Sequence, residues 1–448
     1  MILAAGKGTR MKSRKPKVLH TVCGKPMLQI VVESARSAGL ESVTVVVSDD
    51  ATAIRQTLGD SCSYAVQEER LGTGHAMVQA RTTIPDCDNI LVMAGDTPLL
   101  RHETLAEMIK THVAAEVPVT MLTSSLTDPE GLGRVVRDSE GKITAVVEQK
   151  QADPGTLDIR EVNAGAYCFK SSWLWANLPH LKPSSTGEIY LTDLISVAVK
   201  QGLEVASLAL NDSSEAFGVN TRVELSRAES IMRDRIRNRW MIEGVTIPDP
   251  ESVYIDCDVR IGIDSVILPN THIRGSAAIG EDCEIGPNSI VVDSQVGNQC
   301  RVVSSVVEEA VLESDVHVGP FSHLRPGAYL ESEVRIGNFG EIKNSRIGRA
   351  TKSGHFSYIG DAEVGANVNI GAGSITCNYD GQKKHRTVIG DDVFIGCDTM
   401  MVAPVTIGDR SYTGTGSVIN KDVPQDSGAI GVPARIRTKK PAKDSGSA

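Results

Sequence analysis

One feature limits the fold more than any other. From about residue 250 onward, Ile-Gly or Val-Gly recurs at 261, 279, 285, 296, 318, 336, 347, 359, 364, 370, 389, 395 and 407. Most intervals are six, twelve or eighteen residues, a few off by one or two. One inward aliphatic and one small turn residue per six describe a short flat strand followed by a corner. Three such strands close a triangular coil. A single coil cannot bury its own core, but a stack can, so repetition itself supplies the stability. Aromatic residues make up only 4% of the chain, as expected if part of the interior has room only for Ile, Val, Leu and Ala. The period breaks at "ITCNYDGQKKHRTVI", 375–389, which carries Lys383, Lys384, His385 and Arg386. An insertion in a solenoid is a loop on one face, often the binding face.

The first 220 residues obey another grammar. The β-branched runs "VTVVV", "NILVMAG" and "VPVTMLT" alternate with helical patterns at 27–39 and 102–113. This predicts an α/β layered domain with a largely parallel sheet. Residues 221–243 read as a connecting helix, with Leu225, Ala228, Met232, Ile236 and Trp240 at helical spacing. The expected domains are therefore 1–220, a linker helix 221–243, a repeat domain 244–434 and a mobile tail 435–448.

The net charge of -10 argues against a general nucleic-acid or membrane-surface binder, and no apolar run is long enough to span a bilayer. Nine cysteines lie between Cys23 and Cys397 without a C-x-x-C pair, which fits a reducing cytoplasm and neither zinc ribbons nor a disulfide framework. Against this acidic background, "LAAGKGTRMKSRKPKVLH" at 3–20 packs six cations between Lys7 and Lys17. A glycine turn after a strand brings backbone N–H groups to an anion, and side-chain cations add to it. "MAGDTPLL" at 93–100 places Asp96 just past a hydrophobic strand, where ligands bind in open α/β sheets and where a carboxylate can hold Mg²⁺.

These motifs in order, with L-G-T-G-H-A at 71–76, resemble the sugar-1-phosphate nucleotidyltransferases. With the repeats behind them, nearly the whole chain resembles the bacterial bifunctional N-acetylglucosamine-1-phosphate uridylyltransferase/glucosamine-1-phosphate N-acetyltransferase family. The resemblance implies a Rossmann-like α/β nucleotidyltransferase domain followed by a left-handed parallel β-helix of hexapeptide repeats. It implies Mg²⁺ as cofactor, UTP and acetyl-CoA as co-substrates, a homotrimer, and supply to peptidoglycan and envelope polysaccharide synthesis. Leu3, Ala4, Ala5 and Gly6 would cradle uracil and ribose, and Arg10 and Lys17 would neutralise the triphosphate. Gln67, Gly72 and Thr73 would select uracil. Asp96 and Asn220 would hold the metal, and Gly133, Glu148 and Asn163 the sugar.

In the second half the resemblance makes His355 the general base. Arg325, Lys343, Tyr358 and Asn369 would bind the amino-sugar phosphate, and Glu341 would orient His355. Ala372, Asn378, Tyr379, Cys397 and Thr415 would contact acetyl-CoA, with Lys384 reaching its phosphates. Transfer is expected to be direct, not through an acetyl-cysteine on Cys397, because no base lies near it in sequence. The competing readings are a single-activity nucleotidyltransferase with a non-catalytic β-helix, a trimeric scaffold, and a sugar-nucleotide-binding regulator, the last disfavoured because Asp96, Asn220 and Lys17 together look like turnover machinery.

Overall fold

The computed structural model describes residues 1–184 and 187–438. It divides into two compact units, 1–232 and 233 onward.

The first unit is built on a nine-stranded sheet. Ile2–Leu3 lies between Thr44–Ser48 and Asn89–Ala94, all parallel, with Ser63–Gln67 beyond Thr44–Ser48. Period-2 alternation feeds two cores. Val45 and Val47 pack with Leu28, Val31 and Leu105 on one face, and Val46 packs with Met77, Leu194 and Ile195 on the other. Helices Met27–Ser37 and His102–Ala115 supply the first core; Thr73–Ala80 and Asp193–Lys200 supply the second. One long strand, Glu161–Lys170, runs antiparallel between Asn89–Ala94 and Val119–Ser125. Its beginning carries the sheet out to the hairpin Arg134–Arg137/Ile143–Val147, where Val162 pairs with Arg134.

Helix Arg222–Ile242 follows. Its start is a capping box: Thr221 Oγ1 accepts from Glu224 N (3.2 Å), and the Glu224 carboxylate accepts from Thr221 N (2.7 Å). The same carboxylate accepts from Asn220 N (2.7 Å), which fixes the residue before the cap.

The second unit is a left-handed β-helix with three parallel ladders of ten, nine and eleven short strands, the last ladder ending in an antiparallel pair. The repeat seen in the sequence is a physical column. Ile261, Ile279, Val296, Leu312, Leu330, Ile347, Val364, Ile389 and Ile407 stand in register and are buried. Inward hydroxyls bond across coils: Ser265 Oγ donates to Gly280 O (2.8 Å) and accepts from Cys283 N (3.0 Å). The corners turn through left-handed residues, mostly Asp, Asn and Gly, such as Asp264, Asn270, Asp282 and Asn288.

The expected tail needs correction. Ala434–Thr438 forms a strand antiparallel to Ser427–Gly431, so 435–438 close the end of the prism because their backbone groups pair with it. The rest of that tail, 439–448, lies outside the described residues.

Candidate functional site

In the first unit, three strands end at one edge, and their continuations line a cleft of about 620 Å³. Leu3 ends the first strand and Ala4, Ala5 and Gly6 follow it, Gln67 ends another, and Asp96 follows Asn89–Ala94. Lys17, Gly72 and Thr73 complete the group expected from the sequence. A larger cleft of about 920 Å³ opens at the opposite, amino edge, lined by Cys87, Asn89, His112 and Trp175. Ligands of open α/β sheets bind at the carboxyl edge, where all the motifs converge, so the smaller cleft is the candidate.

The Lys17 ammonium bonds the Asp96 carboxylate and lies 3.0 Å from Asn220 Oδ1. Val219 N donates to Asp96 O (2.9 Å), which brings Asn220 beside Asp96 from 124 positions away in the chain. Two hard oxygen donors aimed at one cation, on a cleft able to admit phosphates, fit Mg²⁺, which needs only one or two protein ligands beside substrate phosphates. Among the described residues no cluster of three or more His, Cys, Asp or Glu could hold a metal. Gly8 makes the Lys17 placement possible. Its φ is +59°, and a Cβ there would come within 2.5 Å of Lys17 Cβ. Arg10 is exposed on the single turn Thr9–Met11 and is not among the cleft-lining side chains.

Gly133, Glu148 and Asn163 come together as a second group. Asn163 N donates to Gly133 O (2.9 Å), and a Cβ on Gly133 would lie 3.6 Å from the Glu148 carboxylate. Burial raises the Glu148 pKa above the usual carboxylate value, and nearby Asp193 and Glu188 add to the rise. The group is tied to the cleft through 188–192: Thr192 Oγ1 donates to Glu148 (3.4 Å), and Leu191 N donates to Thr73 Oγ1 (2.9 Å). Arg70, whose Nε donates to Ala5 O (2.9 Å), and Glu188 also line the cleft. Sequence reasoning missed both, although Arg70 immediately precedes the L-G-T-G-H-A motif at 71–76.

In the second unit, His355 is exposed in a corner turn whose base is bridged by the buried hydroxyls of Ser353 and Ser357 (2.8 Å). Ala372, Cys397 and Thr415 occupy the same position in the next three coils: each stands two residues past the strand position in register with Ser353. Backbone bonds stack these turns, with Gly373 N on Phe356 O (2.8 Å), Asp398 N on Ala372 O (2.7 Å) and Gly416 N on Cys397 O (2.8 Å). Four residues that the resemblance assigned to catalysis and acetyl-CoA thus form one file along one edge.

The adjoining face carries Arg325, Glu341, Lys343 and Tyr358. Glu341 is in register with Tyr358, and its carboxylate accepts from Arg325 Nη1 at 2.7 Å. Within the chain, strand register points Glu341 at Arg325 and not at His355, and this bond raises the arginine pKa further. The Lys343 pKa is lowered, first by its contact with the Lys384 ammonium and then by the Lys384 and Arg325 charges. Three cations crowded on one surface raise the local positive potential there. Asp361, which sequence reasoning missed, is 9% exposed and pairs with one of them, Lys384. It accepts from Asn378 Nδ2 and Asn344 Nδ2, both at 2.6 Å, and lies 3.9 Å from Lys384 Nζ.

The inserted loop is a tight turn. Asp380 accepts from Gln382 N and Lys383 N (both 2.8 Å) and from His385 (2.6 Å), which lowers its pKa to about 2. Tyr379 projects from this turn, 61% exposed. Asn369 is not brought to this group: it lies on the ladder of Lys352 and Phe394, a different face of the prism.

The nucleotidyl transferase family model matches residues 1–241, and the bacterial transferase hexapeptide model (six repeats) matches 258–293 and 386–421. The chain is similar over nearly its whole length to proteins named bifunctional protein GlmU. That of Heliobacterium modesticaldum is 46% identical over 434 residues, 96% of this chain and 94% of the relative. That of Caldanaerobacter subterraneus subsp. tengcongensis is 46% identical over 441 residues, 98% and 96%. That of a Geobacillus species is 46% identical over 432 residues, 96% and 94%.

Proposed function

The chain belongs to the GlmU family of bifunctional enzymes, a uridylyltransferase and an acetyltransferase in one polypeptide, and we propose which residues of each unit do the work. The observation that carries the assignment is that each unit holds its own cation-lined site: Lys17 with Asp96 and Asn220 in one, Arg325, Lys343 and Lys384 in the other.

In the prism, the cationic group binds the phosphate of glucosamine 1-phosphate and leaves its amine toward the His355 edge. His355 takes a proton from the amine as nitrogen attacks the thioester carbonyl; the C–N bond forms, the C–S bond breaks, and the proton goes to the departing thiolate. The file Ala372, Cys397 and Thr415 supports an extended acetyl-CoA along the edge. Three coil steps at ~4.8 Å span roughly 14 Å of cofactor arm. Tyr379 and Lys384 stand beside its path.

In the first unit, a phosphate oxygen of N-acetylglucosamine 1-phosphate attacks the α-phosphorus of UTP and pyrophosphate leaves. The nucleophile is already an anion, so the protein's task is positioning and charge neutralisation. Lys17 supplies a positive charge beside the triphosphate. Gln67, Gly72 and Thr73 face the base, and Gly133, Glu148 and Asn163 face the sugar. Asp96 and Asn220 would hold Mg²⁺, which when bound offsets charge on the phosphates.

A homotrimer is part of this reading, because Asn369 and Tyr358 lie on different faces of one prism and a neighbouring copy would unite them. Among the described residues no helix is long and apolar enough to cross a membrane, and none of the nine cysteines is in a disulfide. A cytoplasmic enzyme feeding cell-envelope polysaccharide synthesis is part of the same proposal. The test is pyrophosphate release from UTP and N-acetylglucosamine 1-phosphate, beside thiol release from acetyl-CoA and glucosamine 1-phosphate. Both should occur, in a particle three times 47.8 kDa by light scattering. Loss of thiol release alone, in a folded trimer, would leave the prism a scaffold.

A further inference from the structure

The face that carries Arg325 holds a second hydrogen-bonded pair that the reaction as described does not use. His323 Nε2 lies 2.9 Å from Glu308 Oε2. The four strands Val306–Glu308, His323–Leu324, Gly340–Lys343 and Ser357–Gly360 are consecutive rungs of one ladder. Val306, His323, Glu341 and Tyr358 stand in one outward column. Glu308, Arg325 and Lys343 stand two residues further along their coils, in the neighbouring column. The bonds run diagonally between the columns, His323 to Glu308 and Arg325 to Glu341. Glu308 is thus the column neighbour of Arg325, and its charge acts on the arginine together with those of Glu341 and Tyr358.

Arg325 therefore faces two carboxylates. Glu341 holds it from one side. Glu308, on the other, would compete for the guanidinium and repel an incoming phosphate dianion if nothing covered it. We propose that His323 engages the Glu308 carboxylate, so that Arg325 hydrogen-bonds Glu341 alone and stays available to the substrate phosphate; His323 is a positioning residue for phosphate affinity. This rests on the reading that Arg325 binds the phosphate of glucosamine 1-phosphate.

The test is steady-state acetyl transfer by the full-length protein at fixed pH and ionic strength. His323→Gln should raise KM for glucosamine 1-phosphate about three- to fivefold, the size expected for freeing a half-exposed carboxylate. The KM for acetyl-CoA, kcat and uridylyl transfer should not change. The double variant Glu308→Gln/His323→Gln should return KM to the parent value, because no carboxylate remains to be engaged. His323→Arg should also preserve it. A purely structural role would not give this pattern, since the double variant would then be at least as impaired as the single one. An unchanged KM in His323→Gln, or a double variant no better than the single, would overturn the proposal. Arg325→Gln is the control on the parent reading: a raised KM there with an unaffected His323→Gln fails only the role of His323, whereas an unchanged KM in Arg325→Gln fails the phosphate assignment itself.

Discussion

Gly72→Ala tests how the uridylyl cleft is held. Gly72 sits at φ +100°, ψ 179°, a region open essentially to glycine, and it opens helix Thr73–Ala80. A Cβ there would meet the Ile189 backbone, 2.8 Å from its nitrogen and closer still to its oxygen. Backbone cannot swing aside like a side-chain tip. The conformational cost is about 1–3 kcal/mol, and forcing an extra methyl into a packed contact adds about 1–3 kcal/mol. The combined cost of about 2–6 kcal/mol is a large part of ordinary domain stability. The cheapest relief is to push the strap at 187–191 away. That would break Gly74 N–Ile189 O (2.8 Å) and Ile189 N–Leu71 O (2.7 Å) and free Thr73 from Leu191 N. The variant should lose uridylyl kcat/KM by at least tenfold, mainly through KM for UTP. It should also melt earlier by circular dichroism, while thiol release from acetyl-CoA is unchanged. A Gly72→Ala protein with parent melting and parent uridylyl kinetics would refute the reasoning.

Other outcomes follow from the same geometry. Burial raises the Glu148 pKa, so the folded state holds its proton more tightly than the unfolded chain does. That contribution is fully present below the unfolded pKa near 4.5 and is lost as pH rises through the folded value. Glu148→Gln should therefore raise the melting temperature at pH 7 relative to the parent but not at pH 4, and weaken binding of N-acetylglucosamine 1-phosphate. Asp380, lowered to about 2, works the other way: its support of the inserted loop persists above the ordinary carboxylate value and is lost as pH falls toward 2. Asp380→Ala should raise KM for acetyl-CoA at neutral pH with little change in kcat. Ile342 is fully buried between Leu324 and Ile359, beneath Glu341 and Lys343. Ile342→Ala should cost about 2–5 kcal/mol in chemical denaturation of the prism and depress acetyl transfer before uridylyl transfer.

The prism was legible in the sequence because each coil repeats the same requirement, an inward aliphatic and a corner. The cleft was legible because strand ends and glycine turns are local signals: Gly6, Gln67 and Asp96 each follow or end a recognisable strand. What escaped notice was set by register and long-range pairing. His355, Ala372, Cys397 and Thr415 are separated by unequal stretches of chain, and the insertion hides that they fill one position in successive coils. The Arg325–Glu341 pair was missed because only the ladder reveals that Arg325 lies diagonal to Glu341. Asp361 reads as one more corner aspartate, and its role shows only when Asn344, Asn378 and Lys384 arrive from neighbouring coils and the insertion. The antiparallel strand Glu161–Lys170 escaped because "EVNAGAYCFK" lacks the continuous β-branched run of its parallel neighbours.

The central claim is that two independent sites serve two reactions. The most direct measurement is both assays, pyrophosphate release and thiol release, on Lys17→Ala and His355→Ala side by side. The account predicts a crossover: Lys17→Ala loses pyrophosphate release and keeps thiol release, and His355→Ala does the reverse. If either folded variant lost both activities, or neither lost any, the two-site account would be contradicted.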